Sequence, residues 1–183
     1  MSLTEADIIE RLFERYGHER YPNGYQRYVC APHVRLPYSF DFGQQVTDFV
    51  AMDTYRGYGK GLTLTGHEIK VSRSDWLVER RAPHKAAGSM RFMDYWWLVV
   101  AERRIVAEGE LPEGWGLMVA TRSGLRAVVQ PQRLSETPRS VLEFPSLERE
   151  FVANLLRAAM RPYDGIAPRC RAVDEVATIM EEA

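Results

Sequence analysis

A chain of 183 residues, 45% hydrophobic and 27% charged, is long enough for one domain with a sizeable core and too apolar for a disordered polymer. Its net charge of -1 excludes binding of nucleic acid by bulk charge, so any such contact must come from a local basic surface. Two distant cysteines, Cys30 and Cys170, exclude a disulfide framework and suit a reducing compartment.

The opening M-S-L-T-E-A-D carries acids and no apolar run, which argues against a signal peptide. Residues 3–16 are expected to form a helix with Thr4 as N-cap and Asp7 three residues later. Ile8, Ile9, Leu12, Phe13 and Tyr16 make its apolar stripe, and Gly17 ends it. Glu10 and Glu14 share a face, either as a solvated edge or as acids reaching a site.

Residues 18–45 are rich in loop formers and aromatics, with a first strand over 28–33 whose Pro32 suits a sheet edge. Tyr21, Tyr25, Tyr28, Tyr38, Phe40 and Phe42 alternate with Arg20, Arg27 and Arg35. Such a mixture either packs a loop over the core or stacks on a nucleic-acid strand. Cys30 and His33 have ligand-like spacing, but no second pair follows to complete a zinc site.

Residues 46–53 (V-T-D-F-V-A-M-D) read as a strand with two apolar faces, and Asp48 sits in an otherwise apolar row. A lone buried carboxylate is costly unless it is paired or bound to a cation. Residues 54–61 are expected to be a glycine-rich hairpin loop leading into a strand over 62–70. Counting from that turn puts Asp48 opposite residues 67–68. Glu68 and Lys70, two apart, share one face of the second strand.

A short helix is expected from Ser74 or Asp75 to Arg81, and a second from His84 to Met93 after Pro83. From Lys70 to Arg91 six Lys/Arg face two acids, giving either a phosphate-facing patch or a solvated helix face. Residues 95–101 (Y-W-W-L-V-V-A) lack a polar face and are expected to be a central buried strand, far too short to span a bilayer. Residues 110–115 read as a turn. Residues 116–121 and 125–130 read as an edge hairpin joined at Ser123-Gly124. A linker over 131–145, a helix over 146–160 and a last helix over 173–181 complete the chain.

Asp48, Glu68 and Lys70 together point to phosphodiester hydrolysis. Two carboxylates hold Mg²⁺ or Mn²⁺ through hard oxygens. The ion makes its water more acidic, and a nearby ammonium offsets charge developing on phosphate. The bland alternative is a surface ion pair between Glu68 and Lys70, with Asp48 at a turn.

The order helix, strand, acid-bearing strand, E-x-K strand, helix, buried strand resembles the PD-(D/E)XK nuclease-like superfamily. Asp48 and Glu68-Ile69-Lys70 carry that resemblance. The stretches G-H-E-I-K-V-S-R-S-D-W, P-H-K, D-Y-W-W-L-V-V and E-L-P-E-G-W-G-L are similar to small phage and bacterial proteins related to the MmcB-like DNA-repair family. The resemblance spans roughly residues 44–120, and Thr47 stands where the superfamily often has proline.

It implies an α/β restriction-endonuclease-like core, a mixed central sheet flanked by helices. Residues 1–130 would be the nuclease-like domain, with 131–183 as linker and C-terminal helical extension of the same domain. Asp48 and Glu68 would be metal ligands, helped by the Ile69 carbonyl. Lys70 would orient or activate the attacking water, and Glu10 or Glu14 would join from the first helix. Ser72, Arg73, Arg81 and Lys85 are the candidate substrate-binding residues, with Asp75 capping the helix. The resemblance further implies a Mg²⁺- or Mn²⁺-dependent DNA endonuclease in the cytoplasm, the host's if phage-encoded, with no membrane partner. A homodimer is compatible with cutting both strands. The alternatives are a catalytically silent nuclease-like module that grips DNA or a host protein, and a phage interaction protein using the aromatic region or C-terminal helices.

Overall fold

The computed structural model describes residues 3–18, 26–37, 45–55, 63–82, 84–134 and 145–159. Residues 56–61 of the expected loop over 54–61, the helix over 173–181, and Arg20, Tyr21, Tyr25, Tyr38, Phe40 and Phe42 lie outside the described residues. Among the described residues no helix is long and apolar enough to cross a membrane.

Helix α1 (Glu5–Gly17) starts as its sequence indicates. Thr4 has an extended backbone, its hydroxyl accepts the Asp7 N–H at 3.2 Å, and the Asp7 carboxylate accepts the Thr4 N–H at 2.7 Å. Ile8, Ile9, Leu12 and Tyr16 are buried. Arg11 donates to the Thr121 carbonyl at 2.6 Å and Arg15 to that of Leu125, so the helix is tied to strands far along the chain.

Strands β1 (Tyr28–Arg35), β2 (Val46–Asp53), β3 (Thr63–Lys70), β4 (Tyr95–Val100), β5 (Gly116–Thr121) and β6 (Gly124–Val129) form one six-stranded sheet in sequence order. β1, β2 and β3 make an antiparallel meander. β4 is parallel to both β3 and β5, and β6 returns antiparallel. Helices α2 (Arg73–Arg81) and α3 (His84–Met90) make the crossover that a parallel β3–β4 pair needs. Helix α4 (Pro145–Ala159) packs against β1. This is a mixed α/β fold with helices flanking the sheet.

Several boundaries differ from the sequence expectation for local reasons. β1 runs on to Arg35, with Pro32 opposite Phe49 on an edge strand and His33 in the left-handed region at φ 48°. The β2–β3 register falls within the counted range, Asp53 facing Thr63 and so Asp48 opposite Glu68. α2 begins at Arg73 because Ser72, not Ser74, is the N-cap. Ser72 accepts the Asp75 N–H at 3.2 Å and donates to its carboxylate at 2.6 Å. α3 stops at Met90, where Phe92 and Met93 N–H groups tighten onto the Ser89 and Met90 carbonyls and turn the chain into β4. The hairpin turn is Arg122-Ser123, and Gly124, at φ 144°, already pairs with Thr121.

The core is built around β4, where Trp96 through Val100 are buried. Trp96 and Trp97 lie on opposite faces, and each indole covers a glycine on a neighbouring strand. A Cβ at Gly66 would lie 2.3 Å from the Trp96 ring, and one at Gly116 would lie 2.4 Å from the Trp97 ring.

On the face covered by α1, His67 is fully buried. The Phe49 carbonyl can only accept, so the bond at 3.2 Å places a proton on Nδ1. Nε2 then accepts the Tyr16 hydroxyl at 2.8 Å. Burial pulls the His67 pKa down to about 3. The unfolded chain takes up this proton below about pH 6.5 and the folded chain does not, so stability is lost as pH falls from there toward about 3. Urea unfolding between about pH 6 and 4 is expected to lose on the order of 1 kcal/mol per pH unit from this group. A His67→Gln variant should show a flatter acid limb, and equal slopes for the two proteins would count against the assignment.

Candidate active site

Phe49 pairs with His67, so the next residues outward, Asp48 and Glu68, face each other across β2 and β3. Alternation turns both to the face opposite His67. Asp48 Oδ2 accepts the Ile69 N–H at 2.8 Å, replacing a ladder carbonyl where the pairing ends. Ile69 thus enters the site through its backbone, while its side chain is buried in the core.

Lys70 contacts Glu68 directly and lies 3.6 Å from Glu79 on α2. The side chains of Glu68, Lys70 and Glu79 are only 12–14% exposed. Burial raises the Asp48 pKa, against the Ile69 N–H and the charge of Lys70. Burial, with Asp48 beside it, pushes Glu68 up to about 8 despite Lys70. Burial disfavours the Lys70 charge, but Glu68, Asp48 and Glu79 outweigh it and raise its pKa.

The donor set fits a hard divalent cation. Two partly desolvated carboxylates strain against each other, and Mg²⁺ commonly binds to one or two carboxylates, completing its shell with water and substrate phosphate. Among the described residues there is no cage of three or more His, Cys, Asp or Glu ligands, so any ion held here would depend on those outside ligands.

The other candidates are distributed differently. Glu10 and Glu14 are exposed, and neither is among the leading charges on Asp48 or Glu68. The α1 acid acting on Asp48 is Glu5, which also pairs with His33 at 2.9 Å. Ser72 is occupied as a helix cap. Arg73, expected to face phosphate, is instead clasped by both oxygens of Glu110 and donates to the Ile105 carbonyl at 2.8 Å. Glu110 also takes Arg80 at 2.9 Å, the Trp76 Nε1–H at 3.3 Å and the Ala107 N–H at 2.9 Å. The Arg73 bond, with the Ala107 and Trp76 N–H donors, holds the Glu110 pKa down to about 2. The clasp fastens α2 to the turn before β5, a fixed structural use for Arg73. Arg81 on α2 and Lys85 on α3 are exposed.

Glu79 is absent from the sequence-based set. Its signal was its place three residues after Trp76, whose indole is fully buried, because that spacing keeps a residue on the inward side of a helix.

No protein-family model matches the chain, and no curated protein matches it. Among solved structures the chain is similar to the SPO1766 protein of unknown function from Silicibacter pomeroyi. The TM-score is 0.51 at 18% identity, covering 87% of this chain and 92% of the other. At that identity the likeness concerns the fold alone.

Proposed function

We propose that the chain is a metal-dependent nuclease of the PD-(D/E)XK type that hydrolyses phosphodiester bonds in DNA. One observation carries the reading: Asp48, Glu68 and Lys70 converge at the ends of two paired strands, largely out of water. The order of a helix, a three-stranded meander, a two-helix crossover and a parallel strand supports the resemblance of the sequence.

Asp48 and Glu68 would hold Mg²⁺ or Mn²⁺, which when bound supplies charge neutralisation at the phosphate and a more acidic water. The Ile69 N–H fixes Asp48 through Oδ2 and leaves Oδ1 for a ligand. Lys70 presents fixed positive charge where negative charge develops, and it orients the attacking water. Arg81 and Lys85, exposed on the crossover helices, are the cations left for DNA phosphates once Arg73 is committed to Glu110.

The test is cleavage of duplex, branched and single-stranded DNA with MnCl₂ or EDTA. Wild type is expected to cut only with the ion, and Asp48→Ala or Lys70→Ala to be inactive yet folded. If wild type never cuts but binds DNA in EDTA, the chain is instead a silent nuclease-like binding module. Equal cutting by wild type and both variants would sink the site assignment.

A further inference from the structure

Lys70 lies between two carboxylates from different elements, Glu68 on its own strand and Glu79 on α2. Of the two, only Glu68 lies across from Asp48. A cation held by Asp48 and Glu68 would repel the ammonium from Glu68, and Glu79 is the acid already within 3.6 Å to receive it. The charge count of the loaded site agrees. With the carboxyls ionised, as a bound cation requires of Asp48 and Glu68, three carboxylates and one ammonium leave two negative charges, which a divalent cation cancels. Without Glu79 the loaded site would carry excess positive charge in a poorly solvated place, a costly state.

We propose that Glu79 is a positioning residue that takes over Lys70 when a divalent cation occupies Asp48 and Glu68, and completes the charge balance of the loaded site. This rests on the metal-site reading above. Glu79 touches neither phosphate nor water in this role. It keeps the Lys70 ammonium beside the site instead of letting it swing out to solvent.

The experiment is calorimetric titration of MnCl₂ into six proteins: wild type, Glu79→Gln, Glu79→Asp, Lys70→Met, the Glu79→Gln/Lys70→Met double variant and Asp48→Asn. Tryptophan fluorescence verifies that each is folded. Glu79→Gln is expected to weaken Mn²⁺ binding about tenfold, the effect of one lost charge a few ångströms away at intermediate dielectric. Lys70→Met is expected to tighten it, and the double variant to return close to wild type. Glu79→Asp should recover most of the affinity, and Glu79→Gln should lower kcat on DNA more than it changes KM. If wild type binds Mn²⁺ and Glu79→Gln binds it equally well, the role of Glu79 is overturned while the metal site stands. If wild type binds no better than Asp48→Asn, the metal site falls and this role falls with it. Should Glu79→Gln not fold, Lys70→Met decides: unchanged or weaker Mn²⁺ binding would overturn the charge balance.

Discussion

Glu68→Gln is expected to lower Mn²⁺-dependent DNA cleavage by about a thousandfold, the scale of removing a group that stabilises transition-state charge. The same variant is expected to be more stable than wild type in alkaline buffer. The Glu68 pKa lies near 8 in the folded chain, against an ordinary 4.5. From about pH 4.5 upward the unfolded carboxyl releases its proton while the folded one keeps it. Folding stability therefore falls as pH rises through that window, and the full cost is present above pH 8. Glutamine keeps the shape and an acceptor for Lys70 but cannot ionise, so it escapes the cost. The melting temperatures should agree near pH 5 and diverge in favour of Glu68→Gln by pH 9. The gain is bounded at a few kcal/mol because Lys70 offsets part of the burial. Activity within tenfold of wild type would remove Glu68 from the site. A variant less stable at pH 9 would show that its ion pair outweighs its desolvation.

Gly66→Ala is expected to cost about 3 kcal/mol, although it adds one methyl group. That methyl would lie 2.3 Å and 2.5 Å from two carbons of Trp96 and 3.0 Å from Met93 Cγ. Trp96 is fully buried, and its strand is bonded in parallel to the one carrying Gly66. Relief therefore requires an indole to leave its rotamer or two paired strands to part. For a chain of this size the melting temperature should fall by about 6–12 °C. Trp96→Leu alone leaves a cavity, but combined with Gly66→Ala it should cost less than the sum, because each change accommodates the other. Additive losses would show that the glycine and the indole do not share one space.

Much of the fold was legible in the sequence because its strongest signals are local. The capped stripe of α1 and the unbroken apolar run of β4 can each become only one thing. The register of β2 and β3 was legible to within one residue, since counting from a turn outside the described residues leaves one residue of slack. Glu68 and Lys70 could be placed on one face because strand alternation is strict, whereas a one-residue range in register left the face of Asp48 open. Tertiary partners were not legible. Nothing near Arg73 announces Glu110, 37 residues away, and nothing near Asp48 announces Glu5 across the β1 edge. Glu79 could be placed beside Trp76 on its helix, but nothing near it announces Lys70 as its partner.

Arg11 and Arg15 grip carbonyls at Thr121 and Leu125, each 110 residues further along the chain. During synthesis α1 leaves the ribosome before the strands that hold these arginines, which follow 110 residues later. The apolar stripe of the helix can settle on Phe49 and His67 once β2 and β3 appear, but its two arginines stay untied until the β5–β6 hairpin follows. Such a helix is docked in two stages, first by its apolar face and later by its arginines.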